Sequence, residues 1–438
     1  MPMLPDVLPA LATALMGGPP GRYASPNGWW RRIALRLVAL ISVPMMLAVL
    51  QREHCIRFGW SGDDQFFREC FSDLPAQYSI GGLNTGFGGY LAGQAHLTEP
   101  VLSGSVMSLL GGLVPGGSAL EQSRFYFFYW VALITLLLAA TVWCVIQLAP
   151  DDLQAAAQTA LSPVIVLAAV LSTDALAVAL VAGALLAWRR DKLTLTGILL
   201  GLGALTRGYV LFVAIALYLA AWRSDDLARA YRALLAAATT MLVVCAAFAI
   251  VAPDALAASY LSWWSGGAGY GSPWLIPAIA TYTLPAWGVT LLALAGWGIA
   301  GFVGWVFVRD AYRPPTWAQT ALVVTAMGLM VGKAMPVQAS LVLVVLAAVS
   351  GIRWRDSLIW AGAEALHFVA IWLYVGALTH ADRALPGPWY AAFLLIRIAG
   401  ITWLVTRVWD ASHYPSRHHA RDVPARSAET ADAELVSP

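Results

Sequence analysis

Apolar segments recur from Ile33 to Trp409, and this recurrence restricts the fold more than any motif does. Lipid offers the backbone no hydrogen-bond partner, so a spanning segment must be helical unless the chain closes into a barrel. The runs here are too long and too continuous for the alternating strands of a barrel. Of the 438 residues, 60% are hydrophobic and 11% charged, with a mean hydropathy of +0.70. A soluble protein carries roughly 25% charged residues. A length that would otherwise suggest two or three soluble domains therefore predicts one all-α bundle. The net charge of +2 gives no reason to expect a nucleic-acid partner. The run Val7–Met16 is short, is interrupted by proline and follows no basic region, so it does not read as a cleavable signal peptide.

About twelve spans are expected, near 33–50, 125–148, 157–172, 174–188, 193–206, 209–222, 233–252, 286–308, 317–332, 335–352, 357–378 and 388–409. Several fall short of the roughly 20 residues that a full crossing needs. The tight pairs around Asp174, Arg207 and Lys333 are therefore candidates for helices that turn back inside the membrane.

Basic residues set the orientation. With the amino terminus inside, 17 of the 26 Lys and Arg fall on inner segments and seven on outer ones, leaving Arg36 and Arg397 within spans. That asymmetry is the one the positive-inside rule expects. It predicts a multi-pass plasma-membrane protein with both ends cytoplasmic. The organisation is then a cytoplasmic segment 1–32, a membrane domain 33–409 with a first extracytoplasmic loop 51–124, and a polar, disordered cytoplasmic tail 410–438. Trp29-Trp30-Arg31-Arg32 reads as an interfacial anchor.

The exported loop holds Asp63, Asp64, Glu69, Asp73 and Glu99, together with Cys55 and Cys70. Both cysteines lie on the oxidising side, 15 residues apart, and a disulfide is the natural reading, with two free thiols as the alternative. Closing such a loop is worth roughly 3 kcal/mol. Cys144 and Cys245 fall in spans and read as packing residues. Val101–Val114 is apolar but short, and reads as a helix at the membrane surface. A folded loop of this size exceeds what a connector needs and is expected to cap a site at the outer face.

Charges inside the apolar region need a reason. Arg207 and Lys333 sit at outer turns, where they are candidates for holding a lipid phosphate or for snorkelling to the interface. Asp174 opens a helix after Ser172-Thr173, where a carboxylate caps free amides or serves catalysis. Glu364 and His367 share a helix face, and Arg397 lies at a similar depth in the next span. An ion pair between Glu364 and Arg397 and a proton path are the two readings. No phosphate-binding glycine loop, zinc-spaced Cys/His set or nucleophile elbow occurs, so no metal site is expected. His413, His418 and His419 offer at most adventitious metal binding.

Several stretches then stand in a familiar order: "CFSDLPAQYSIGGL" (70–83), "EPVLSGSVM" (99–107), "LSPVIVLAAVLSTDALAVALVAGALLAWRR" (161–190), "GILLGLGALTRGYV" (197–210), "GKAMPVQASLVLVVLA" (332–347) and "RWRDSLIWAGAEALHF" (353–368). In these the chain resembles the actinobacterial polytopic glycosyltransferases of the GT-C class, specifically the family 87 group that includes polyprenol-phosphate-mannose-dependent mannosyltransferases. The resemblance implies transfer of a sugar, mannose or arabinose, from a polyprenyl-phosphate donor to a glycolipid or glycan hydroxyl at the outer face. It places the general base on Asp73, with Glu99 as the second candidate, and donor-phosphate binding on Arg207 and Lys333. No cofactor is implied. Membrane lipids, donor and acceptor are the implied partners, while a divalent metal and the oligomeric state are left open.

The chain departs from the family at three places. Thr98-Glu99-Pro100 stands for Glu-Tyr-Pro, Arg207-Gly208-Tyr209-Val210 for Lys-x-Tyr-Pro, and Met335-Pro336-Val337-Gln338-Ala339 for the Ser-Pro-Gln-Tyr element. Tyr209 and Gln338 are site candidates on that alignment. The lost tyrosines imply an altered pocket or a protein without transferase activity. A transporter or flippase working through Glu364, His367 and Arg397, or a structural envelope partner, are the alternatives.

Overall fold

The computed structural model describes residues 26–150, 152–377, 380–383 and 385–413. The run Val7–Met16, the side chains of Trp29 to Arg31, and the tail 414–438 with His418 and His419 lie outside the described residues. Every regular element among the described residues is helical.

In chain order the principal helices are α1 (Pro26–Ala39), α2 (Ser42–Gln51), α3 (Asp73–Ile80), α4 (Val101–Gly111), α5 (Ala119–Leu148), α6 (Leu153–Ala160), α7 (Pro163–Ala168), α8 (Asp174–Arg189) and α9 (Leu193–Ala204). They continue as α10 (Val210–Arg223), α11 (Leu227–Val251), α12 (Pro253–Ser265), α13 (Ala286–Asp310), α14 (Trp317–Met330), α15 (Ser340–Val349), α16 (Trp354–Gly376) and α17 (Gly387–His413). Six stretches are long and apolar enough to cross a membrane: Arg32–Gln51, α5, α11, α13, α16 and α17. The other expected spans are shorter helices.

Length separates two layers. The short helices fill the interior: nearly every side chain of α14 and α15 is buried. The long helices lie outside. On α11 only Ala230, Ala233 and Ala237 are buried, and Leu235, Leu242 and Ile250 face outward. Similar outward apolar side chains on α5 (Leu136) and α13 (Phe302) complete a surface suited to lipid. Gly197 and Gly201 on α9 let α11 approach closely, since a Cβ at either would strike the carbonyl of Ala233 or Ala237. Small residues four apart bring helix backbones together where water provides no drive.

The sequence explains the starts and stops. Ser118 and Glu121 form a capping box that begins α5, and Thr316 and Gln319 form another at α14. The polar residues Glu121 to Arg124 therefore belong to the helix, not to the loop as expected. The expected span 157–172 is broken instead of continuous, because Pro163 starts a new helix and lacks the amide a longer one requires. Pro336 likewise delays α15 until Ser340. Cations also bond the carbonyls at helix ends: Arg52 Nη2 donates to Leu167 O at 2.9 Å, and Arg229 Nη2 to Trp188 O at 2.9 Å.

Short helices come as pairs joined by three tight turns, 169–173 (α7 to α8), 205–209 (α9 to α10) and 331–339 (α14 to α15). The loop between α2 and α5 is clamped by a Cys55–Cys70 disulfide and rests on two of these turns. Asp73 N donates to Leu171 O at 2.8 Å and Ser72 Oγ to Val170 O at 2.7 Å, while Leu102 N donates to Leu205 O at 3.2 Å. The helix expected at Val101–Val114 forms as α4 and packs against the second turn. The third turn is covered by the connection between α11 and α13: Gly269 N donates to Lys333 O at 2.7 Å and Met335 N to Tyr270 O at 3.2 Å.

Candidate functional site

Where the three turns and the loop meet, six of the sequence-nominated side chains gather. Arg207 lies at the centre. Its Nε donates to Asp174 Oδ2 at 2.8 Å, Nη1 to Glu99 Oε2, and Nη2 to Thr173 Oγ1 at 3.0 Å. A guanidinium has five N–H donors, so two remain free beside the cavity that Arg207 lines. Asp174 is buried and fully engaged, accepting also from Tyr209 OH at 3.1 Å and Ser172 Oγ at 2.7 Å. Its carboxylate therefore does not cap its own helix, as its position at the start of α8 suggested. The guanidinium across the turn outcompetes the amides, because a charge-assisted bond is stronger than one to a neutral donor.

Asp73 opens α3 beside this cluster and receives Gln338 Nε2 at 3.4 Å, which ties the loop between α2 and α5 to the third turn. Its carboxyl is pushed up to about 7, first by burial, then by the charge of Glu99, against the pull of Arg207 and with a smaller push from Asp174. Three carboxylates around one guanidinium leave an excess of negative charge beside Asp73.

The cluster forms one end of a cavity of about 560 Å³. Glu99, Asp174, Arg207 and Gln338 line the polar end, while Phe212, Ile215, Trp263, Trp297 and Leu329 line the remainder. The wall carrying Trp263 is held in an unexpected way. Lys333 borders the cavity, but its ammonium donates to the carbonyls of Trp263 at 2.7 Å, Gly266 at 2.9 Å and Trp264 at 3.2 Å, the end of α12. It also lies 4.4 Å from the Trp263 ring, which stacks on Trp297 at 5.4 Å. All three ammonium donors are thus taken up by the protein, whereas Arg207 keeps two free.

Glu364, His367 and Arg397 lie apart from the cavity. Arg397 Nε donates to Glu364 Oε2 at 2.9 Å with both side chains fully buried. The same guanidinium reaches Met335 O, Pro336 O at 3.2 Å and Ser340 Oγ at 3.0 Å, so it fixes the third turn from behind. His367 is buried near Tyr390, with neither ring nitrogen hydrogen-bonded. Among the described residues no group of three or more His, Cys, Asp or Glu side chains is placed to hold a metal ion.

Sequence reasoning missed Thr173 and the segment 263–272. The signal was present in "WWSGGAGYGS" (263–272), glycine-rich between aromatic residues. Gly271 needs its glycine: its φ is +78°, and a Cβ would meet the Met335 carbonyl. No family model matches the chain, and no curated protein matches it either.

Proposed function

We propose that the chain is a polytopic GT-C-type glycosyltransferase of the plasma membrane, which moves a sugar from a polyprenyl-phosphate donor to a glycolipid or glycan hydroxyl at the outer face. The single observation that carries this reading is one cavity with two ends: carboxylates and a guanidinium with free donors at one, aromatic and aliphatic side chains at the other. A lipid-linked sugar phosphate has the same two parts.

In this reading the twelve apolar segments divide into six crossing helices and three hairpins of short helices that return to the face they came from. Hairpins do not change sides, so the 17 inner cations stay on the cytoplasmic side whether the short helices cross or turn back. Both ends of the chain are then cytoplasmic, and the three turns with their carboxylate cluster face outward.

Asp73 takes the proton from the acceptor hydroxyl as its oxygen bonds to the anomeric carbon. A base with a pKa near the working pH suits that step. The bond from the anomeric carbon to the phosphate oxygen breaks, its electron pair stays on the phosphate, and the free N–H groups of Arg207 stabilise the charge gained there. Glu99 and Asp174 hold the guanidinium in place, and Gln338 orients Asp73. Lys333 is assigned to the cavity wall, where it keeps Trp263 against the space for the prenyl chain.

The test is transfer from radiolabelled polyprenyl-phosphate mannose or arabinose into extracted glycolipid by wild type and Asp73→Asn in nanodiscs. Transfer by wild type that is lost in a folded Asp73→Asn protein supports the reading. Equal transfer by both moves the base to Glu99, and no transfer from either donor removes the proposed donor class.

A further inference from the structure

A second cavity, of about 400 Å³, lies at the opposite end of the bundle from the carboxylate cluster. It is built by the connection after α13, the turn between α15 and α16, and the end of α17. Three guanidiniums border it, those of Arg313, Arg353 and Arg407, with the carboxylates of Asp356 and Asp410. We propose that this cavity binds a phosphate ester whose alcohol part also donates a hydrogen bond, such as the polyol headgroup of a phospholipid.

Two sets of incomplete partners carry the inference. Arg313 and Arg353 make no ion pair among the described residues. Arg407 pairs with Asp410 at 2.6 Å, yet its buried Nε has no acceptor. Free guanidinium donors in a concave site call for an oxyanion, and phosphate matches their geometry. Asp356 calls for the opposite. It is 3% exposed, and its Oδ1 has no hydrogen-bond partner. Its nearest cation, Arg355 Nη2, stands 3.9 Å away, beyond hydrogen-bond reach. A buried carboxylate oxygen left without a donor is costly. Only a ligand carrying both an anionic group and a hydroxyl or ammonium completes both sets. The charges agree as well, because three guanidiniums against two carboxylates leave one positive charge, the complement of a single phosphodiester.

The level of the cavity favours a lipid as the source. Arg407 lies 4.5 Å over Trp403, and Arg309, one turn from the same end, lies 4.4 Å over Trp305. Tryptophan beside arginine at the ends of apolar helices marks the headgroup level. In the orientation proposed above this is the cytoplasmic leaflet. The ligand chemistry itself does not depend on the transferase reading.

The test is calorimetric titration of the purified full chain in detergent with dihexanoyl phosphatidylglycerol. One saturable site per chain is expected. Arg313→Ala/Arg353→Ala, at two exposed positions, should weaken it by about tenfold or more, with unfolding temperature unchanged. The same charge removal at Arg223 and Arg232, which neither border the cavity nor pair with its carboxylates, should leave binding within about twofold. Dihexanoyl phosphatidylmethanol, an anionic diester without a donor, should bind several-fold more weakly, and Asp356→Leu, which removes the acceptor, should abolish that difference. Glycerophosphoglycerol, the soluble headgroup, distinguishes the sources: binding equal to the lipid identifies a soluble phosphate ester, and much weaker binding a membrane lipid. No saturable binding of lipid or soluble headgroup, or equal weakening by the two double substitutions, overturns the proposal.

Discussion

Replacing Arg397 by methionine removes a cation from a place that water cannot reach, and the structure sets the size of the effect. Arg397 and Glu364 are both fully buried and 2.9 Å apart. Methionine preserves much of the aliphatic volume, so the loss is electrostatic. Glu364 keeps a single donor, Trp360 Nε1 at 3.1 Å, and the carbonyl of Met335 loses the guanidinium, while that of Pro336 keeps only Ala339 N at 3.1 Å. Breaking a buried pair by removing one partner costs about 3–5 kcal/mol, which is two to four powers of ten in an unfolding constant. Replacing both, Glu364→Gln with Arg397→Met, leaves no unpaired charge and should cost clearly less than the single change. The assay is unfolding in mixed dodecyl maltoside and dodecyl sulfate micelles, followed by the fluorescence of the 20 tryptophans. Hydrogen exchange should also rise at Gly269 and Met335, whose amides tie the connection between α12 and α13 to the third turn. An Arg397→Met protein within about 1 kcal/mol of wild type, or a double variant less stable than the single one, would refute the reasoning.

Three further outcomes are expected. If Asp73 is the base, its working form predominates above about 7, so transfer should rise with pH through that value. Glu99→Gln removes an anionic neighbour and should move that rise to lower pH by about one unit; a move to higher pH would contradict the assigned charges. Gly197→Val should drive α9 from α11, since its side chain would occupy the Ala233 carbonyl position, at a cost of about 1–3 kcal/mol in the same micelle assay. Cys55→Ser with Cys70→Ser should lower stability by about 3 kcal/mol, and a reductant should do the same to wild type but not to the variant.

Apolar patterning made the helical class legible, because an all-apolar run has few other ways to satisfy its backbone. The disulfide was legible from two cysteines 15 residues apart in one loop, and the short turns from the pairs around Asp174, Arg207 and Lys333. The roles of the two cations were not. Arg207 and Lys333 occupy matching turns in the sequence, but one guanidinium keeps donors facing a cavity while the ammonium closes the end of α12. Nothing local distinguishes them, since the acceptors of Lys333 lie some 70 positions earlier in the chain.

The sequence by itself determined which segments are helical, where proline and capping residues interrupt them, and which ends carry the positive charge. These follow from hydropathy and from interactions within a few residues. Tertiary structure alone decided that helices too short to cross would form the interior, and that Glu99, Asp174 and Arg207 would gather at one end of a cavity with Asp73 beside them. It also decided that a second cavity would collect three arginines, from two connections and the end of α17. Those outcomes depend on contacts between residues tens to hundreds of positions apart, such as Gln338 with Asp73. Pair distances of that kind are fixed by packing and leave no periodicity in the chain.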